Sequence, residues 1–480
     1  MLSNMNGAPL KAGISDSRGP TVAETVNQHH VARRDARAIL KRAYTIASER
    51  DNKARNHACR ILLAACRWIT DPTRGPTAPP EDELTTQWLA ALGRKHGLLP
   101  TLYAYLSSEV RSSLRDSLAG DYKATKQVNL DALSELEAIA VAASKAGVPV
   151  VALKGPSLAF TLYGDPALRP FADLDLLISS DDFERAETIL TTLGYAPPPG
   201  LLPSRFYLKH HIHLPYLATG KTKIELHWGL THQFRPWRIP VDEVMSRATV
   251  RSLGGVESPC LCDEDHLIYL CTHLEEHGYY SRFAEGVPDE AIVANPDVNN
   301  RLIWLLDIAL MLTQVGEELD WEATVDRARR WRVGGHVKSA MHLSQRLLGA
   351  RAPAWVVKQL PGLRSFRFER AVAKYIALWP QHHTLYGATG PMRVHQFLLS
   401  RVFRMHPTLQ FRPSRVFDLM RYIFSEGAVG SGGNGEPGWR RRAVLGAPFR
   451  LTRLLNMAMS IIAFYAKHKV LKIPRRGGDA

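Results

Sequence analysis

The sequence predicts an α+β protein, with a mixed unit over residues 121–230 set between helical regions. Three observations carry this expectation. Val148-Pro-Val-Val-Ala-Leu153 is a short β-branched run that suits a buried strand. Asp173-Leu-Asp-Leu-Leu-Ile178 is an apolar run headed by two aspartates, and His211–Leu217 with Lys223–Trp228 brackets a turn at Gly220 as a hairpin. On either side, apolar residues recur at helical spacing, as in Ile39, Leu40, Ile46, Ile61, Leu62 before the unit and Leu267, Leu270, Leu274, Leu302, Leu305, Leu306 after it.

Taken in order, residues 1–30 are glycine-containing and poor in large apolar groups, which predicts a disordered lead-in. Residues 31–120 read as an N-terminal helical region, interrupted by the Pro-rich stretch Asp71–Pro80. A long helix is expected over Asp121–Ala146, closed by Gly147 in the manner of a C-terminal cap. After the first strand, Gly155 and Pro156 turn the chain into a helix over Ser157–Tyr163, and Gly164–Pro170 forms a loop before the Asp-Leu-Asp strand. Ser179, Ser180 and Asp181 offer N-cap chemistry for a helix over Asp182–Leu193, which Gly194 ends. Residues 231–348 read as a further helical region, and 349–480 as basic helical stretches with a Gly-rich linker at Gly427–Gly438.

Composition is that of a soluble globular protein, with 45% hydrophobic and 22% charged residues. There is no 18-residue uncharged apolar run, and Met1–Pro20 lacks the apolar stretch of a secretory signal, so a cytoplasmic location is expected. Five cysteines without paired C-x-x-C spacing read as reduced thiols rather than a zinc cluster. The net charge of +15 is unevenly held: Trp331–Ala480 carries 25 Lys+Arg against 5 Asp+Glu, while residues 1–330 carry 36 against 41. The basic character belongs to the C-terminal third, where it could meet phospholipid, nucleic acid or an acidic partner.

Chemistry concentrates in the mixed unit. Asp173 and Asp175 are one position apart, so a strand puts both on one face, about 6–7 Å apart. Two carboxylates so placed call for a cation, which reads as a divalent-metal site rather than core packing. Lys154-Gly155 is a strand-to-helix turn whose Cβ-free residue lets backbone N–H groups approach a phosphate. Glu225 and His227 share one strand face, and Arg169 lies four residues before the first aspartate, able to counter phosphate charge.

The combination Leu153-Lys-Gly-Pro-Ser157, Tyr163-Gly-Asp-Pro166, Arg169-Pro-Phe-Ala-Asp-Leu-Asp-Leu176, Leu193-Gly-Tyr195 and Ile224-Glu-Leu-His-Trp228 resembles the uncharacterised bacterial nucleotidyltransferase family of the DNA polymerase β-like superfamily. Trp88 with His96-Gly-Leu98, and His273–His277 with Trp304-Leu-Leu-Asp307, resemble helical segments flanking that core, so the likeness covers about residues 80–315. The resemblance implies a nucleotidyltransferase-fold mixed sheet core over 121–230, with 231–348 completing the catalytic unit. It implies that Asp173, Asp175 and Glu225 bind Mg²⁺ or Mn²⁺, while Lys154, Gly155, Ser157 and Arg169 hold the NTP. Two ions about 3.5–4 Å apart would activate an acceptor hydroxyl and stabilise the pyrophosphate leaving group. The chain departs from the superfamily at Pro156, where Ser or Gly is usual, and Pro removes one backbone donor from the phosphate grip.

Bland readings stand beside these. His227 reads as packing beside Trp228, with substrate contact as the alternative. His273-Leu-Glu-Glu-His277 matches the inverted zincin pattern, but without a further ligand it reads as a packing helix that contacts the cleft. Leu454–Tyr465 is apolar, basic-flanked and too short to span a bilayer, which suits either a core helix or an interfacial helix on an anionic membrane surface. No motif that reads nucleic-acid sequence is evident in the basic third. The expected function is transfer of an NMP from NTP to an unidentified acceptor. The alternative is a non-catalytic protein that keeps the fold to bind a nucleotide or partner.

Overall fold

Gly147 marks where the chain passes from helix to sheet. In the computed structural model it adopts φ +62°, its N–H donates to Ser144 O at 3.0 Å, and that of Val148 donates to Ala143 O at 2.9 Å. This pair of bonds is a Schellman cap, which satisfies the last carbonyls of the helix and turns the chain sharply. The structure describes residues 49–362 apart from 76–79, 81, 107–112, 200, 202, 232–236, 278–287 and 295–300. The lead-in at 1–30, residues 363–480 of the basic region, the linker at Gly427–Gly438 and the apolar segment Leu454–Tyr465 therefore lie outside the described residues.

Ahead of Gly147 come α1 (Glu49–Thr70), α2 (Glu83–His96), α3 (Leu99–Tyr105) and α4 (Ser113–Ala146). The last begins earlier than its expected start at Asp121, because Leu114 and Leu118 extend its buried stripe by two turns. Then follow β1 (Val151–Ala152), α5 (Pro156–Thr161), β2 (Asp173–Leu177), α6 (Phe183–Thr192), α7 (Ser204–His210), β3 (His213–Tyr216) and β4 (Lys223–His227). The C-terminal part runs α8 (Val241–Ser246), β5 (Thr249–Leu253), β6 (Val256–Cys260), α9 (Asp263–His277), α10 (Asp289–Ala294), α11 (Leu302–Leu310), α12 (Trp321–Arg330), α13 (Gly334–Leu348) and α14 (Ala354–Gln359).

The strands form one six-stranded mixed sheet in the order β3-β4-β2-β1-β6-β5. β2 runs parallel to β4 and antiparallel to β1, and β1 runs parallel to β6. The β3/β4 hairpin is the expected one. The β5/β6 hairpin stands within a region that reads as helical from its apolar spacing, and it completes the far edge of the sheet. Its strands alternate weakly and carry Pro259 and exposed polar residues, so the run offers little period-2 apolar signal.

Each face of the sheet has its own core. Leu174, Leu176, Ile224 and Leu226 point to one side, against Leu136 and Ile139 of α4 and Phe183, Ala186 and Leu190 of α6. On the other side, Val151, Leu153 and Leu177 join a larger cluster built from α1, α2, α9, α11 and α13. Strand alternation thus sends Asp173 and Asp175 toward the larger helical layer.

Within the helical layer a buried imidazole joins α2 to α10 and to the start of α11. His96, at the end of α2, lies 2.9 Å from Val293 O through Nε2 and accepts the Leu302 N–H at 2.9 Å through Nδ1. Burial holds this imidazole neutral, well below its usual pKa, so it carries the one donor and one acceptor that those partners require.

Candidate active site

The register of β2 and β4 assembles the site. Their parallel pairing sets Asp173 beside Lys223 and Asp175 beside Glu225, so Asp173, Asp175 and Glu225 share one face. The antiparallel pairing of β3 with β4 adds His213 opposite His227 on that same face. Two strands distant in sequence thus converge their polar residues while their apolar residues fill the opposite core.

Asp175 is the buried centre of the cluster, with its side chain 2% exposed. Lys154 Nζ lies 2.9 Å from both of its oxygens, and His227 Nε2 lies 3.1 Å from Oδ1. Burial works against its ionisation, yet Lys154 and the His227 hydrogen bond hold its carboxyl below the ordinary range. Lys223 Nζ bridges the other two acids, 3.0 Å from Asp173 Oδ2 and 2.6 Å from Glu225 Oε1. Glu225 Oε2 is 3.8 Å from His227 Nε2. Burial opposes ionisation of Glu225 as well, but the neighbouring His213, His227, Lys223 and Lys154 together keep its carboxyl well below the usual range. Burial would lower the His227 pKa, and the hydrogen bond to Asp175 with the nearby Glu225 carboxylate outweighs it and raises it. His213 goes the other way, since burial dominates and holds it neutral.

The phosphate-side residues fare differently. Gly155 adopts φ +67°, ψ −110°, a conformation open to glycine alone, and turns the chain directly over the start of β2. A Cβ built there would sit 3.4 Å from Asp173 O and 3.5 Å from the Phe171 ring. Pro156 occupies the first turn of the short α5, where a missing N–H costs least, and Ser157 beside it is buried with no hydrogen-bond partner for its hydroxyl. Lys154 points to Asp175. Arg169 is committed elsewhere: its Nε and Nη2 each donate to the carboxylate of Asp307 on α11 at 2.8 Å, and Tyr163 OH donates to the same carboxylate at 2.7 Å. That pair joins the loop before β2 to the helical layer, with side chains 5% and 1% exposed.

Two residues of the cluster, His213 and Lys223, escape the sequence reading, and a third, His227, is placed by it on the Glu225 face but reads as packing. His227 faces the acids rather than packing with Trp228. The Trp228 ring stands edge-on to Phe183 at 5.0 Å on the opposite side. His213 and Lys223 carry only the signal of strand alternation, two positions from His211 and from Glu225. His213, Glu225 and His227 present ligand atoms within 4.8 Å of one another, a group that could hold a metal ion. Of the His273–His277 pattern, His273 is buried against Trp304 with ring centroids 5.0 Å apart, and the His277 side chain lies outside the described residues.

The glycine turn at Gly155, the Asp-x-Asp strand and a third carboxylate on its parallel neighbour thus bring three acids to one face of a mixed sheet. The chain belongs to the uncharacterised nucleotidyltransferase family, whose model matches residues 82–349. No curated protein matches it. A solution structure of the antibiotic-resistance factor ANT(2'')-Ia matches at 15% identity over 52% of this chain and 97% of its own, with a TM-score of 0.23, a value too low to support an argument about the site.

Proposed function

We propose that the protein is a metal-dependent nucleotidyltransferase that moves an NMP from an NTP to an unidentified acceptor. The observation that supports this is the β2/β4 register, which sets Asp175 beside Glu225 with Asp173 on the same face. Three carboxylates gathered on one face repel one another unless cations intervene, and they offer a ready set of oxygen donors to a divalent ion. The donor chemistry fits the implied ions: carboxylate oxygens suit Mg²⁺ or Mn²⁺, and the imidazoles of His213 and His227 beside Glu225 add nitrogen donors that favour Mn²⁺ over Mg²⁺.

When bound, such an ion would neutralise phosphate charge and make an acceptor hydroxyl more acidic. The protein's own groups do the rest. Asp173, Asp175 and Glu225 would hold the ion. Lys154 and His227 fix the Asp175 carboxylate in one orientation, and the Gly155 turn keeps the backbone close to β2 without a side chain in the way. Lys223, at the more exposed end of the cluster, adds positive charge where a triphosphate would enter.

The test is to incubate the protein with Mg²⁺ or Mn²⁺ and each labelled NTP, following pyrophosphate release and label transfer. A double variant Asp173→Ala with Asp175→Ala should lose both signals. Equal behaviour of wild type and variant would leave the alternative, a non-catalytic nucleotide-binding protein, to which the two lysines already seated on the acids lend support. No described helix is long and apolar enough to cross a membrane. The charge excess of the C-terminal third supports docking on an anionic membrane surface from the cytoplasmic side, rather than sequence-specific nucleic-acid binding.

A further inference from the structure

The two lysines on the acid cluster are not equivalent. Lys154 holds both oxygens of Asp175 with its side chain only 16% exposed, so its ammonium is enclosed. Lys223 is 29% exposed and bridges acids from two strands, Asp173 of β2 and Glu225 of β4. Its backbone is fixed, because it pairs with Asp173 in the sheet and the preceding Thr222 N–H donates to the Glu135 carboxylate at 2.9 Å. Only the four-carbon stem is left to move, and a lysine stem carries its charge over several ångströms at little cost when its end reaches water.

Charge arithmetic makes that movement consequential. Three carboxylates face two ammonium groups, so most of the acids' charge is already balanced as the cluster stands. A divalent cation added between Asp173 and Glu225 would meet the Lys223 ammonium at contact distance, and like charges so close cannot both stay. Lys154 is shut in, so Lys223 is the one to yield.

Resting on the nucleotidyltransferase reading above, we propose that Lys223 is an exchangeable counter-ion. Its ammonium holds Asp173 and Glu225 together until a divalent cation takes those carboxylates, and it then turns to the phosphates that the cation brings. Lys223 is thereby a positioning residue that couples metal entry to triphosphate capture, and it makes tight binding of metal alone unfavourable.

Mn²⁺ titration of the full chain, followed by electron paramagnetic resonance without nucleotide, tests the first half. Lys223→Met and Lys223→Gln should each bind Mn²⁺ about tenfold more tightly than wild type, because a competing charge has gone. Tripolyphosphate tests the second half: in saturating Mn²⁺ it should bind both variants several-fold more weakly than wild type. Mn²⁺ affinity equal to or below that of wild type in both variants overturns the proposal, as does unchanged tripolyphosphate affinity. A measurement on wild type covers the case in which the variants do not fold. Reductive methylation of Lys223, read by mass spectrometry, should rise on adding Mn²⁺ and fall again with tripolyphosphate, and insensitivity to Mn²⁺ equally refutes exchange. Loss of Mn²⁺ binding in Asp173→Asn shows that the carboxylates are the ligands. If wild type and Lys223 variants all fail to bind Mn²⁺, the metal-dependent reading itself falls, whereas equal binding by all of them removes only the exchange.

Discussion

Asp175 and Asp173 differ by two positions in sequence and by far more in circumstance. Asp175 is buried under Lys154 and His227, whereas the Asp173 side chain is 28% exposed and shares Lys223 with Glu225. Removing one partner of a buried ion pair leaves the other uncompensated, so Asp175→Asn should cost about 3–5 kcal/mol of stability in urea unfolding. Asp173→Asn should cost about 1 kcal/mol or less, as is usual for partly exposed pairs. Both should abolish transfer, so the two effects separate fold from chemistry. The pH dependence has two limbs. Asp175 and Glu225 are held below their unfolded values, so their contribution is present above the unfolded carboxylate range and is lost as pH falls through the folded values. His227 is held above its unfolded value, so its contribution is complete below the unfolded imidazole pKa and is lost as pH rises through the folded one. Unfolding free energy measured against pH should therefore fall on both sides, and His227→Gln should flatten the alkaline limb and, by removing a group that holds Asp175 and Glu225 down, soften the acid limb as well. The acids were legible from spacing, because a period of two needs no tertiary knowledge. Lys223 and His213 were not: a lysine or histidine on a half-exposed strand looks ordinary until the neighbouring strand is known.

At the level of elements, the Arg169–Asp307 pair shows how a motif can be read correctly and assigned the wrong partner. Its place before the aspartates suggests a phosphate ligand, but the fold turns Nε and Nη2 of the guanidinium to a carboxylate 138 residues away. Asp307→Asn should therefore destabilise by about 3–5 kcal/mol in thermal or urea unfolding, since it strands a buried guanidinium. The double variant Arg169→Met with Asp307→Leu should cost less than either single change, because a buried pair can be replaced by apolar groups more cheaply than it can be broken. A tripolyphosphate affinity unchanged in that double variant would confirm the joining role, and a large loss would restore Arg169 to the phosphate site. The β5/β6 hairpin carries a different lesson. Gly254-Gly255 between two five-residue runs is a two-residue turn signal, and the runs themselves, Thr249-Val-Arg-Ser-Leu and Val256-Glu-Ser-Pro-Cys, are too polar at an edge of the sheet to announce strands. Burial supplied the helical signal elsewhere, and its scarcity at an edge withheld the strand signal here.

For the molecule as a whole, the sheet is the middle layer between two cores, and the acidic centre lies on the side of the larger one. The mixed unit and its helical flanks were legible because apolar periodicity reports burial directly. Which flank covers which face was not, since that depends on contacts such as His96 to Val293 and Leu302, far apart in sequence. If the basic C-terminal third docks on the inner face of a membrane, the full chain should co-sediment with vesicles containing anionic lipid, not with neutral ones, and raised salt should release it. The buried bridge between Arg169 and Asp307 has a dynamic consequence too. Separating the sheet from the helices along that seam would strip each of two buried charges of its partner, which makes wide hinge opening there expensive. Lys223, part-exposed on a strand that the sheet holds in place, keeps the freedom that the seam lacks, that of a single side chain swinging on the nanosecond scale of exposed rotamers rather than the slower scale of domains.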